Sequence, residues 1–168
     1  IIVILVNEIT GQGNCNSFGY SSLSGVTTYL GPGTGRAYIS QYQLVGCTGT
    51  VSAWQFYARH YGTIYFQIWR RSGSTLNFML VGQNAITITE GTSFQEQDII
   101  INVPPDMRIS AQPGDYIGWM TSGTEMITYG SDSTVVYYMS TTSVAIGTTY
   151  SFTSSINRNY PVKVYMDN

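Results

Sequence analysis

The sequence predicts an all-β domain, an antiparallel β-sandwich of jelly-roll type carrying one disulfide, and three observations lead there. β-Branched and aromatic residues alternate with polar ones along most of the chain. Clusters of Gly, Pro, Asn, Asp and Ser interrupt that alternation at short intervals. No segment repeats its apolar residues with a helical period. A strand count above seven, with no tryptophan between two widely spaced cysteines, favours the jelly roll over an immunoglobulin-like sandwich.

Taken in order, the chain opens on Ile1, Ile2, Val3, Ile4, Leu5 and Val6, with no polar residue before Asn7. A strand wetted on one face would alternate, so continuous apolarity predicts burial on both faces. Residues 1–10 are therefore expected to form an N-terminal strand. It either fills a slot in its own domain or is donated to a neighbouring subunit through the flexible linker Thr10-Gly11-Gln12-Gly13. The run is far too short for the ~20 residues of a membrane-spanning helix. With Ile rather than Met at its start, the chain reads as a mature product or a piece of a longer protein. Residues 11–168 are expected to form a single sandwich domain.

From Gly11 to Arg36 the pattern is irregular and predicts a long loop. Strands are expected at Ala37–Val45, Thr75–Val81, Ala85–Thr89, Asp98–Val103, Tyr116–Thr121, Glu125–Tyr129, Val135–Ser140, Thr148–Thr153 and Pro161–Met166. Between Thr50 and Arg71 the alternation is clearest. Trp54, Phe56 and Ala58 share one face, Ile64, Phe66 and Ile68 share another, and His60-Tyr61-Gly62 between them predicts a hairpin. Turns are expected at Gly31-Pro32-Gly33, Ser72-Gly73, Pro104-Pro105-Asp106, Pro113-Gly114-Asp115, Ser122-Gly123 and Asn157-Arg158-Asn159.

Cys15 and Cys47 are the two cysteines of the chain. No histidine or further cysteine near them would complete a zinc site, so they are expected to form a disulfide in an oxidising, extracellular compartment. Closing that loop would stabilise the fold by about 3–4 kcal/mol on the chain-entropy argument.

Charged residues make up 10% of the chain, against ~25% in an ordinary soluble domain. With one lysine, Lys163, and a net charge of −2, no basic stripe exists to track phosphates or anionic lipid, which argues against nucleic acid as a partner. Catalytic groups are also scarce. The single histidine, His60, falls on a predicted turn, and no serine belongs to a nucleophile elbow. Glu96 and Asp98 share a face if extended, the one arrangement resembling a glycosidase pair, but Gln95 and Gln97 beside them read as a polar strand entry. Gly31 to Arg36 lacks the lysine and the helix start of a phosphate loop. Asp98, Asp106, Asp115 and Asp132 lie near turns without the spacing of a calcium site. The expectation is therefore a non-enzyme without cofactor or metal.

Fourteen tyrosines and three tryptophans are the notable excess. Trp54 and Trp119 share faces with apolar neighbours and are expected in the core. Tyr65 and Trp69 fall on the face opposite Ile64, Phe66 and Ile68 and are the candidates for an exposed, ligand-stacking pair.

The segments Gly49-Thr50-Val51-Ser52-Ala53-Trp54-Gln55-Phe56-Tyr57, Gln67-Ile68-Trp69-Arg70 and Gln112-Pro113-Gly114-Asp115-Tyr116-Ile117-Gly118-Trp119 resemble β-sandwich modules of large secreted or cell-surface invertebrate proteins, over roughly residues 46–120. The resemblance implies an extracellular building block and carries no active site with it. Together with the low charge, it leads to the expectation of a secreted structural or adhesive module. Its partners would be copies of itself or neighbouring extracellular modules, with a fibre built by exchange of the N-terminal strand as one such assembly. The alternative expectation is a lectin-like module that binds glycans.

Overall fold

A computed structural model describes residues 15–20, 29–31, 35–89, 97–122 and 126–168. The apolar run Ile1–Val6 lies outside the described residues, as do Glu96 and the turn residues Pro32, Gly33 and Gly123. The described strands are β1 (Ser17–Gly19), β2 (Tyr29–Gly31), β3 (Arg36–Leu44), β4 (Gly49–Ala58), β5 (Gly62–Arg71), β6 (Asn77–Ile88), β7 (Gln97–Asn102), β8 (Ser110–Ala111), β9 (Tyr116–Ser122), β10 (Ile127–Ser140), β11 (Thr149–Ser151), β12 (Ser154–Asn159) and β13 (Val162–Asp167). A 3-10 turn spans Pro105–Met107.

All thirteen strands belong to one antiparallel sheet with the order β1-β13-β4-β10-β3-β9-β5-β6-β11; β2 and β12 also pair with β10, and β7 and β8 with β4. This corrects the expected jelly-roll sandwich. A jelly roll stacks two sheets, whereas here one strand, β10, carries the hydrogen-bond network from end to end. Its first residues pair with β2 and, at Ile127, with Ala58 of β4, and its last pair with β3 and β12. The sheet stays open, ending on β1 and β11. Alternation in sequence reports that a strand has an inner and an outer face but not which strand lies beside it, and so it could not distinguish the two arrangements.

The predicted hairpin between Thr50 and Arg71 is corrected for the same reason. Both strands form where expected, but β4 pairs with β13 and β7 while β5 pairs with β6 and β9. Their contact is made by side chains instead. The ring of Phe66 lies 5.1 Å from Trp54 and 4.9 Å from Phe56, centroid to centroid. Strands four places apart in a flat sheet would stand ~19 Å apart, so the sheet bends between them. Register shifts lie in two of the intervening strands, in β10 between Gly130 and Val135 and in β3 between Ile39 and Leu44. Extra residues on one strand of a pair are the usual device for such a bend.

The inner face gathers Trp54, Phe56, Ile64, Phe66, Ile68, Ile117, Trp119, Val162 and Val164 into the main core. A second cluster of Ala37, Ile39, Trp69, Phe78, Leu80, Met120, Met139 and Phe152 covers the opposite face of β3, β9, β5 and β6. The chain after β10 closes over that face. Gly147 donates to the Leu80 carbonyl, Phe152 donates to Leu76, and the Phe152 ring packs edge-on against Trp69 and Phe78.

The turn into β9 forms as expected. Gly114 adopts a φ of +87°, which glycine takes without strain after proline, and Asp115 N–H closes the turn on the Gln112 carbonyl at 3.1 Å. Asp115 is almost wholly buried and accepts two hydrogen bonds at 2.8 Å from the Arg70 guanidinium plus one from Gln112 N–H at 2.9 Å. A buried carboxylate is tolerated only with such a complement of donors. The turn is thereby tied to β5, and β9 enters the core with Ile117 and Trp119 facing inward. Trp119→Ala should cost about 3–5 kcal/mol in chemical denaturation; a loss under about 1 kcal/mol would place that ring at the surface.

Candidate functional site

The structure separates the residues singled out in the sequence. Cys15 and Cys47 form the expected disulfide, with Cα atoms 5.8 Å apart. The bridge pins the start of β1, whose ladder with β13 is extended by Met166 N–H to the Asn16 carbonyl and by Tyr20 N–H to the Val162 carbonyl.

The expected stacking pair is not an exposed pair. Trp69 is 0% exposed. Its indole donates to Gln67 Oε1 at 3.0 Å, and its ring meets Tyr150 and Phe152 edge-on. The sequence placed it on the face away from Phe66 correctly but could not show that residues eighty positions later cover that face. A register shift between Ile68 and Trp69 also turns the strand at this point. Tyr65 is half-buried against the same cluster. His60 is exposed on the connection between β4 and β5. Of the two carboxylates Glu96 and Asp98, only Asp98 is among the described residues, and it is exposed on β7. Among the described residues no three His, Cys, Asp or Glu side chains converge as a metal site would require. No helix among them is long and apolar enough to cross a membrane.

A concentrated aromatic cluster lies under β10. Tyr38, Trp119 and Tyr160 are fully buried; Tyr38 stacks on Trp119 at 6.2 Å, and Tyr160 lies 4.7 Å from Trp119 and 5.6 Å from Tyr129. Two arginines close its rim, Arg158 at 3.8 Å over the Tyr129 ring and Arg36 at 4.6 Å over Tyr138. Burial pushes the Tyr160 hydroxyl above the ordinary tyrosine range, against the partial relief of the hydrogen bond donated by Arg158 at 3.2 Å. Such a phenol stays neutral and holds no reactive form near neutrality. The arrangement therefore reads as packing with cation-π closure.

A different feature is left available for contact. β7 pairs with β4 from Ala58↔Gln97 to Ala53↔Asn102, and among the described residues no strand pairs with its other side. Its sequence, Gln97-Asp98-Ile99-Ile100-Ile101-Asn102, carries one charge and no proline. Ile99 and Ile101 stand opposite Phe56 and Trp54 and point to the core, yet both remain only partly buried. Ile100 points outward, opposite Gln55, and is 54% exposed. Among the described residues β7 therefore has a row of backbone groups without a ladder partner, flanked by isoleucine on both faces, the feature that templates strand addition. The other sheet margins offer less. β1 and β11 are three residues long, and β12, Ser-Ser-Ile-Asn-Arg-Asn, is polar. On β6, Val81–Ile88 also lacks a described strand on the side away from β5, but the exposed positions there are Ala85 and Thr87 rather than isoleucine.

Family models, curated proteins and solved structures give no match to the chain. The functional reading accordingly rests on this geometry and on the composition.

Reducing the Cys15–Cys47 bridge should lower amide protection at Ser17–Gly19 while leaving β5 unchanged, as read by hydrogen exchange under native conditions. Equal protection at β1 with and without reductant would mean that the β13 ladder alone holds that strand.

Proposed function

We propose that the chain is an extracellular structural or adhesive module, non-catalytic, that assembles through contacts with copies of itself or with neighbouring modules of like construction. The observation that carries this reading is the open edge of β7. Soluble proteins blunt such edges with lysine, proline, a bulge or a cover, and β7 has none of these among the described residues apart from the single carboxylate of Asp98. The sparse charge of the whole chain supports the same reading, since like-charge repulsion that would keep copies apart is weak. The disulfide supports an oxidising compartment. Glycan binding is the weaker reading, because the indole nominated for stacking, Trp69, has no free face.

Asp98 gives the reading a pH dependence. Partial desolvation raises its pKa although the residue is exposed, and Tyr165 on β13 is raised as well, first by its own burial and then by the Asp98 charge, with Tyr57 facing Asp98 across the β4 ladder. A carboxyl group with a raised pKa in the folded state stabilises that state at low pH, and the contribution is lost as pH rises through that pKa. Protonation also removes the one charge on β7, and pairing with another chain would bury the group further. In sedimentation velocity, the mass of the pure protein should rise with concentration, rise further as pH falls through the acid range, and lose that pH dependence in Asp98→Asn. A monomer at every concentration and pH would dispose of the assembly reading.

A further inference from the structure

Beyond assembly, we propose that the outward face of β5 and β6 binds a neutral glycan, with one sugar ring resting on Tyr65 and a sugar oxygen accepting from the Gln83 amide. Trp69 cannot itself stack on a ligand, but its indole sets the chemistry of that face. An indole N–H donates and never accepts. Gln67, fully buried, therefore turns its Oε1 toward Trp69, at 3.0 Å, and its Nε2 away, where it donates to Gln83 Oε1 at 3.1 Å. That bond fixes the second amide as well. Gln83, half-buried, keeps its oxygen on Gln67, so its NH2 is the end carried toward solvent. Gly118, beside Gln67 on β9, makes the relay possible, since a Cβ there would come within 2.7 Å of the indole Cδ1 and 2.8 Å of Nε1. A glutamine with no exposed surface is costly among apolar side chains, and packing alone gives no reason for it. Orienting a donor at the surface does.

The neighbours of that donor suit a sugar. In the β5–β6 ladder, Thr63 and Thr87, Tyr65 and Ala85, and Gln67 and Gln83 form three successive rows on the outward face, each ~6.8 Å from the next. In the middle row Tyr65 rests half-buried on the second cluster, and the small, exposed Ala85 opposite it leaves the ring uncrowded from that side. The C–H face of a pyranose packs on an aromatic ring, while the hydroxyls around its rim reach polar groups one row away. On the side away from Gln83, the Thr63 and Thr87 hydroxyls share one hydrogen bond, Oγ1 to Oγ1 at 2.9 Å. Two hydroxyls carry two protons, so one is left to donate. The ligand must also be uncharged. Neither residues 63–69 nor residues 80–87 include a charged side chain, so an acidic sugar would lose water here without gaining a counter-ion.

Calorimetric titration of the pure protein with free hexasaccharides of glucose, N-acetylglucosamine, mannose and galactose, and with sialyllactose as the acidic probe, tests the assignment. The expected result is that at least one neutral probe binds and sialyllactose does not. Gln83→Glu keeps an oxygen to accept from Gln67 but loses the outward donor, and Ala85→Arg fills the space beside the ring. Each should weaken the neutral probe about tenfold or more, with the thermal melt unchanged. Gln67→Met, which breaks the relay, should weaken binding in the intact chain but add no further loss to Gln83→Ala, because Gln67 acts only through that amide. If no neutral probe binds at millimolar concentration, or if the one that binds is unaffected by both Gln83→Glu and Ala85→Arg, this face is not a glycan site. Preference for sialyllactose would overturn the neutral chemistry. A protein that stays monomeric yet binds the neutral probe through Gln83 would refute the assembly reading and uphold this one, since the two use different surfaces.

Discussion

A strand has two sides on which to form ladders, and β10 uses each of them for two sets of partners. Its first residues, Ile127–Tyr129, belong with β2 and touch β4, while Val135–Ser140 belong with β3 and β12. The change of partners falls on Gly130-Ser131-Asp132-Ser133-Thr134, where the register slips. The sheet must bend between β4 and β5 for Trp54 to meet Phe66, and register shifts occur in two of the intervening strands, β10 and β3. The main core is thus a consequence of one strand being shared between two parts of one sheet. The aromatic cluster of Tyr38, Trp119, Tyr129, Tyr138 and Tyr160 gathers around the same strand, with arginines covering two of its rings.

This dependence explains what the sequence could show and what it could not. Where strands lie is a local matter of alternation, and β3, β4, β5, β7, β9 and β13 form within a residue or two of their expected limits. Partnership is not local. His60-Tyr61-Gly62 has the chemistry of a tight turn and does reverse the chain, but the two strands that leave it join different neighbours. Glu125–Tyr129 and Val135–Ser140 were expected as two strands because five small or polar residues separate them, yet those residues stay extended and make one strand. Asn157-Arg158-Asn159 has turn residues and forms part of β12, where Arg158 is held over Tyr129. In each case a contact distant in sequence overrides a local preference.

The same distinction governs the candidate site. The cysteine pair was legible because there were two cysteines and nothing else nearby for them to bind. The side of the strand on which Trp69 lies was legible as well. Its burial was not, because Tyr150 and Phe152 reach it from a segment whose position only the fold determines. Whether β7 is an edge is a property of strand order, and Gln97-Asp98-Ile99-Ile100-Ile101-Asn102 read alone would suit the centre of a sheet as well as its margin.

That last ambiguity bears on why the edge is left as it is. Three isoleucines in succession are the composition of a strand covered on both faces, and β7 has that composition while lacking a described partner on one side. Among the described residues the other margins are short or turn less apolar positions outward: β1 and β11 are cut to three residues, β12 carries serine, asparagine and arginine, and the unpaired part of β6 exposes Ala85 and Thr87. An edge that was merely tolerated would be expected to follow the same rule, since one lysine at the outward position of Ile100 would cost the core nothing. The contrast between β12 and β7, each six residues long and each paired on one described side, is therefore a contrast between a margin chemically suited to water and a margin chemically suited to another strand.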